Sequence, residues 1–248
     1  MLENRFIRQI QIDWDKIEAC SYLRGIPALS GIRELSFPKN VTFFVGENGT
    51  GKSTLLEAIA AGYGFNREGG SLNYRFSTFD DVSELCSALS FTKGFRRPAS
   101  SYFFRAESFF NVATKAEDYR LPGEKKENYY ARYGGKSLHE QSHGESFLSY
   151  FLAFEGPGLY IMDEPEAALS PQRQLTLLIQ LVKMAAQGSQ FLIASHSPIL
   201  LGTPDAQILS FDDGHIHPCS YEETESYQVT ELFLNHREAL LNRLLDES

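Results

Sequence analysis

Gly46-Glu47-Asn48-Gly49-Thr50-Gly51-Lys52-Ser53 constrains this chain more than any other stretch. A glycine, four residues and then Gly-Lys-Ser form a loop whose backbone N–H groups can curl around a polyphosphate. The flanks suit that reading. Val41-Thr42-Phe43-Phe44-Val45 is β-branched and aromatic and predicts a buried strand, and Ser53 to Ala61 predicts a helix. A helix starting at the loop adds its partial positive charge. In that setting Lys52 reaches the β- and γ-phosphates and the Ser53 hydroxyl holds Mg2+. Asn48, Gly49, Gly51, Lys52, Ser53 and Thr54 are the expected nucleotide contacts. The bland alternative is an ordinary glycine turn into a helix, which the strand–loop–helix context disfavours.

The 248 residues suffice for one large α/β domain or two small ones. With 42% hydrophobic and 22% charged residues, the composition is that of a soluble globular protein. No apolar run approaches the ~20 residues that a bilayer span needs. Met1-Leu2-Glu3-Asn4-Arg5 lacks the basic-then-apolar layout of a signal peptide. Cys20, Cys86 and Cys219 are scattered, with neither metal-ligand spacing nor a disulfide framework. A reduced, cytoplasmic compartment is expected. The net charge of −9 opposes nonspecific nucleic-acid binding by the whole surface. The charge is uneven, however: residues 91–136 carry +5 and residues 205–248 carry −8. Such asymmetry marks either a partner-binding face or two solvated surfaces.

Along the chain, Phe6, Arg8, Ile10 and Ile12 alternate as in a half-buried strand, followed by turns at Gly25, Pro27 and Gly31. Residues 66–140 are irregular, aromatic and charged. Residues 142–155 predict a Ser-capped helix with Phe147, Leu148, Phe151 and Leu152 on one face. Gly158 to Asp163 is an apolar strand ending in acid. Ser170-Pro171 opens a helix that stops at Gly188, and Gln190 to Ala194 is a second buried strand. Thr230 to Leu245 reads as an amphipathic helix presenting Leu232, Phe233, Leu240, Leu241, Leu244 and Leu245. Apolar strands alternating with helices predict a mostly parallel sheet covered on both faces.

Two strand tips carry candidate chemistry. Asp163 suits a hold on Mg2+, and Glu164 just beyond it can polarise a water for in-line attack on a γ-phosphate. His196, thirty-three residues after Asp163, ends the second strand where ligands bind in α/β folds and can hydrogen-bond the γ-phosphate. A pair of solvated carboxylates and a structural histidine are the plain alternatives. Ser142 and Glu145 form a capping box. His215 and His217 read as exposed rather than metal-ligating, since no third ligand is near.

Taken in order, these motifs resemble the ATP-binding-cassette ATPases. Gln141-Ser142-His143-Gly144-Glu145 stands where that superfamily has its Leu-Ser-Gly-Gly-Gln signature, with His143 and Glu145 departing from the pattern. The phosphate loop, Phe104-Arg105-Ala106-Glu107-Ser108-Phe109, Ser-His-Gly-Glu-Ser, Asp163 to Gln174 and Ser195-His196-Ser197-Pro198 are similar to a group of small bacterial AAA-family ATPases. That group is of cassette type and related to SMC and recombination-repair ATPases.

The resemblance implies a P-loop α/β fold and ATP hydrolysis with Mg2+. It implies a trans signature made by Ser142, His143, Gly144 and Glu145, and a D-loop at 166–170. Glu107 falls where the family's Q-loop contacts metal, although it is Glu rather than Gln. Tyr22 falls near the adenine-stacking aromatic of transporter cassettes, or is a core tyrosine. The expected organisation is a single ATPase domain over 1–248, its core about 1–90 and 156–248, with a small helical lobe at about 91–155. The thirty-odd residues between Glu107 and Ser142 leave no room for an SMC coiled coil. The expected protein is a compact head that forms a homodimer on ATP and acts on a protein effector or nucleic acid, in DNA repair or phage defence. The alternatives are the ATP-binding subunit of a membrane transporter, disfavoured by the departures at His143 and Glu145, and a sensor that binds without turnover.

Overall fold

Val41 to Val45 is buried at every position, as a central parallel strand must be, and the fold is built outward from it. The computed structural model describes residues 5–66, 69–71, 84–105, 130–131, 133, 135–154 and 156–246. Among these the strands are β1 (Ile7–Ile12), β2 (Glu34–Ser36), β3 (Val41–Val45), β4 (Gly70–Ser71), β5 (Leu89–Lys93), β6 (Ser100–Arg105), β7 (Gly158–Asp163), β8 (Gln190–Ala194), β9 (Gln207–Ser210) and β10 (His217–Pro218). The helices are α1 (Pro27–Ser30), α2 (Lys52–Tyr63), α3 (Glu84–Ala88), α4 (His143–Leu152), α5 (Pro171–Ala186), α6 (Pro198–Leu201) and α7 (Glu225–Asp246).

A seven-stranded sheet runs in the order β10-β9-β3-β8-β7-β6-β4. Its five inner strands are parallel, and β10 and β4 pair antiparallel at the edges. A second sheet, β2-β1-β5, is antiparallel. This is the α/β, mostly parallel architecture with flanking helices that the sequence predicts.

Because successive side chains alternate across a strand, the sheet sorts its apolar residues into two cores. Phe43, Tyr102, Phe104, Tyr160, Met162, Phe191 and Ile193 face α4 and α5, where Phe147, Phe151, Leu177 and Leu181 meet them. Phe44, Phe103, Leu159, Ile161 and Leu192 face α2 and the small sheet, meeting Leu55, Ile59, Ile7 and Ile10. The α4 side is rich in aromatics: the Phe104 and Phe147 rings lie tilted at 4.9 Å, and Phe151 meets Tyr160 edge to face at 5.7 Å.

That packing corrects the expected lobe boundary. Residues 89–93 and 100–105 are strands, and Phe103 and Phe104 lie inside the large sheet. The helix α4 lies on the sheet, because its aromatic stripe has a larger apolar surface to cover there. Leu152, expected on that stripe, is 47% exposed at the helix end. The C-terminal helix is longer than expected and kinked at His236, and none of its residues is buried.

One polar side chain ties the small sheet to the large one. Gln190 on β8 is fully buried; its Oε1 accepts the N–H groups of Phe6 and Ile7 at 2.8 Å each, and its Nε2 donates to the Ile7 carbonyl at 2.7 Å. Gln190→Leu would leave three buried backbone groups unpaired, costing about 2–4 kcal/mol. A lower urea midpoint is expected, and an unchanged midpoint would contradict the tie.

Candidate functional site

The loop between β3 and α2 has the shape of a phosphate cradle. Gly46 and Gly51 sit at φ of 135° and 100°, where other residues are strained. At Gly51 a Cβ would also lie 2.9 Å from Ile26 and 3.0 Å from Leu29. Gly51 is the left-handed cap of α2, so the first N–H groups of the helix open onto the loop. Asn48 and Gly49 are exposed at the tip, Thr50 and Thr54 are half-buried, and the Thr50 hydroxyl donates to the Glu47 carbonyl at 2.8 Å.

Lys52 is buried, and its ammonium folds onto the loop itself, donating to the carbonyls of Gly46 at 2.6 Å and Glu47 at 2.7 Å. Burial lowers its pKa, opposed by the charges of Glu164, Asp212 and Asp163. Ser53 on the first turn of α2 donates its hydroxyl to Asp163 Oδ1 at the tip of β7, 3.0 Å away. Two motifs 110 residues apart thus meet at one hydrogen bond.

Burial pushes the Asp163 carboxyl up to about 6, against the hydrogen bond from Ser53 and the charge of Arg105, with Glu164 and Glu57 adding to the rise. Arg105, aligned beside Asp163 on the neighbouring strand, pairs with Glu57 of α2 at 2.8 Å. A hydroxyl and a half-buried carboxylate are hard oxygen donors, the set that suits Mg2+.

Glu164 turns into the left-handed region, φ 49° and ψ 54°, an uncommon conformation for a residue other than glycine. Its N–H donates to the Ala194 carbonyl at 3.0 Å, which pins the turn to the end of β8, while its side chain is 46% exposed. His196 follows the end of β8, with Nε2 3.9 Å from Glu164 Oε1. The structure therefore brings Lys52, Ser53, Asp163, Glu164 and His196 together at one sheet edge.

The signature residues form a separate cluster. Ser142 caps α4, and the Glu145 carboxylate accepts both the Ser142 N–H at 3.0 Å and its hydroxyl at 2.8 Å. Those two bonds, then the charge of Arg173, hold the Glu145 carboxyl below the usual range. Arg173 on α5 donates to Ser142 Oγ at 3.2 Å and to Glu145 Oε1 at 2.7 Å. Gly144 is packed so closely that a Cβ there would lie 2.5 Å from the Ala168 carbonyl oxygen. His143 is the first residue of α4. These contacts run to the turn at Pro165–Ala168 and to α5, not to the phosphate loop.

Glu107 lies outside the described residues, as do Lys115, Arg120, Lys125 and Lys126, four of the basic residues of the positive 91–136 stretch. Tyr22 begins a short 3-10 turn and is 69% exposed, so it is not a core tyrosine. A hollow of about 620 Å3 beside the loop is lined by Pro27, Ala28, Asn48 and Asp212 among others, without Tyr22. His215 and His217 stack their rings at 4.7 Å on the far side of β9.

The sequence leaves Asp212 unremarked, and it places Glu166 in a D-loop and Arg173 in a shared motif without the partners that they take. Asp212 accepts the Glu47 N–H at 2.9 Å and fixes the start of the loop. It follows the apolar strand β9, so the strand-tip rule that found Asp163 and His196 would have found it. Arg173 and Glu166 carried no such signal, because their partners are distant in sequence.

Two family models match the chain. One, described as "AAA domain, putative AbiEii toxin, Type IV TA system", covers residues 146–202, and one described as "AAA domain" covers residues 22–132. Both agree with the resemblance drawn from the motifs. No curated protein matches. Among solved structures, "An inward-facing conformation of a putative metal-chelate type ABC transporter" aligns with a TM-score of 0.50 at 14% identity, over 92% of this chain and 88% of that one. CbiO1 from Clostridium perfringens, part of the ABC transporter complex cbiONQ, aligns at 0.48 and 17% identity over 98% and 99%. The SMC head domain from Thermotoga maritima aligns at 0.45 and 15% over 87% and 99%. The fold is α/β and mostly parallel around a phosphate loop, and the two models liken residues 22–132 and 146–202 of it to AAA domains.

The raised Asp163 carboxyl has a testable sign. A group whose folded pKa lies above its unfolded value stabilises fully below the unfolded value, here 3.8, and that contribution is lost as pH rises through about 6. In metal-free protein, Asp163→Asn should therefore raise the melting temperature by a few degrees at pH 7.5. The gain should shrink as pH falls through 6 toward 4. A gain independent of pH would contradict the buried-carboxylate account.

Proposed function

We propose that this chain binds ATP with Mg2+, hydrolyses it, and closes head to tail on a second copy of itself. The closed pair would act as a switch or motor for a protein effector or nucleic acid, in DNA repair or phage defence. The hydrogen bond between Ser53 and Asp163 carries this reading, because it joins the phosphate loop to the strand-tip acid in the relation that Mg2+-dependent phosphoryl transfer uses.

In this reading Lys52 exchanges the Gly46 and Glu47 carbonyls for phosphate oxygens, which recovers its two charge-assisted bonds. Ser53 and Asp163 supply oxygen ligands to the metal, whose charge offsets the cost of desolvating the Asp163 carboxylate. Bound Mg2+ would neutralise charge developing on the phosphate oxygens. Glu164, half in solvent, accepts the proton of the attacking water. His196 donates to a γ-phosphate oxygen.

The signature of each copy would cap the nucleotide of the other. The exposure of Ser142 and Glu145, and their bonds to Arg173 of α5, support this geometry. The exposed Arg96 and Arg97, with the basic residues further along the 91–136 stretch, are the groups that would meet phosphates if nucleic acid is bound. The cytoplasm is the proposed compartment, and no helix among the described residues is long and apolar enough to cross a membrane.

Phosphate release tests the chemistry. Glu164→Gln should keep ATP binding and lower turnover about 100-fold or more, since an amide is not a base. Turnover near wild type would remove Glu164 from the mechanism. Light scattering tests the assembly. With Mg2+ and ATP, Glu164→Gln should approach dimer mass, and adding Ser142→Arg should return it to monomer. Equal masses for both proteins would contradict the head-to-tail pair.

A further inference from the structure

The sheet ends one residue before His196. Ser195 makes the last bond to β3, its N–H donating to the Phe44 carbonyl at 3.2 Å. The next N–H, that of His196, has no strand beside it. It donates instead to Oε1 of Glu166 at 2.6 Å. Glu166 belongs to the 3-10 turn Pro165–Ala168, which directly follows Glu164.

The other oxygen of Glu166 is buried with no hydrogen-bond partner among the described residues, and so is Nε2 of His196. Burial raises the Glu166 carboxyl, opposed by the bond from His196. A carboxylate held this way costs folding free energy, so stability alone does not account for it.

The same turn has a second contact. Its Ala168 carbonyl is the atom that a Cβ on Gly144 would strike at 2.5 Å. The turn is therefore packed between the signature end of α4 and the histidine end of β8. On its far side His196 is followed by Ser197, whose hydroxyl donates to Gln174 of α5 at 2.6 Å and accepts the Leu200 N–H at 3.1 Å. Residues after 196 are thus anchored from α5, and residues before it by the sheet. Among the described residues, Glu166 anchors the backbone of 196 itself.

We infer that Glu166 is a positioning residue for His196: its carboxylate oxygen holds the His196 backbone N–H and so sets where the imidazole stands relative to Glu164 and the γ-phosphate. The inference rests on the ATPase reading above for its kinetic consequence, but the latch is a property of the folded chain alone. Glu166 touches no reacting atom. It acts through the backbone of the residue that does. The placement of the turn also means that a force on the signature end of α4 reaches His196 by two contacts, Gly144 to Ala168 and Glu166 to His196.

The test uses wild type, Glu166→Ala, Glu166→Gln, His196→Ala and the double variant Glu166→Ala with His196→Ala. Hydrogen exchange read at the 195–198 peptide should speed up in Glu166→Ala. It should stay near wild type in Glu166→Gln, whose amide oxygen still accepts the bond. In ATPase assays Glu166→Ala should lower kcat about tenfold, with KM for ATP within about twofold of wild type. Glu166→Gln should retain most of the wild-type rate. The double variant should be no slower than His196→Ala alone, because both changes remove one function.

Unchanged exchange in Glu166→Ala would overturn the latch whatever the activity. A kcat loss in Glu166→Gln equal to that in Glu166→Ala would also overturn it, since charge rather than the acceptor would then matter. Multiplicative losses in the double variant would show that Glu166 acts independently of His196. If wild type releases no phosphate, the ATPase reading fails, and the exchange comparison still decides the latch.

Discussion

The hydrogen bond from the Ser53 hydroxyl to Asp163 organises this molecule. It spans the sheet edge where β3 hands over to α2 and where β7 ends. For it to form, α2 must leave the loop at a fixed angle, and Gly46 and Gly51 must adopt backbone angles closed to other residues. The strands must also stop in register, with Asp163 beside Arg105 and Ala194 on its two neighbours. Parallel strands that end together place their loops on one edge, so the chemistry collects there. The Asp163 carboxyl is held half-buried at the strand tip, and its desolvation raises it to about 6. The site thus stores an unfavourable group in the place where a metal would relieve it.

The rest of the fold serves that edge. Two apolar faces sandwich the sheet, one sealed by α2 and the small antiparallel sheet, the other by the aromatic helix α4 and by α5. Gln190 is the polar exception, spending its amide on the backbone of residues 6 and 7. Placing α4 on the sheet carries the signature residues to the start of α5, where Arg173 and the Pro165–Ala168 turn receive them. Signature and phosphate loop end up as two clusters on one chain, each with its own internal bonds. In the proposed head-to-tail pair, a second copy would complete both.

The local motifs were legible because each depends on short-range rules. The loop, β3, β7, β8 and the strand-tip residues Asp163, Glu164 and His196 all lie where periodicity and turn chemistry place them. The capping box of Ser142 and Glu145 formed as its spacing predicts. Long-range partnerships were not legible. Nothing near Glu166 or Arg173 in sequence announces His196 or Ser142, because those contacts exist only once the sheet has set the spacing. The helical reading of 91–155 missed β5 and β6. β5, Leu-Ser-Phe-Thr-Lys, does alternate and straddles the expected boundary, whereas Ser100 to Arg105 has no alternation and pairs along its length with β7.

The central claim is that the loop at 46–53 takes the polyphosphate of ATP through Lys52. Calorimetric titration of Mg2+-ATP into the wild-type chain and into Lys52→Ala tests it most directly, with circular dichroism showing that both remain folded. The account predicts saturable binding to wild type at one site per chain, and a loss of affinity of at least about 100-fold in the variant, since two or more charge-assisted bonds to phosphate are removed. Equal affinity in the two proteins would contradict it.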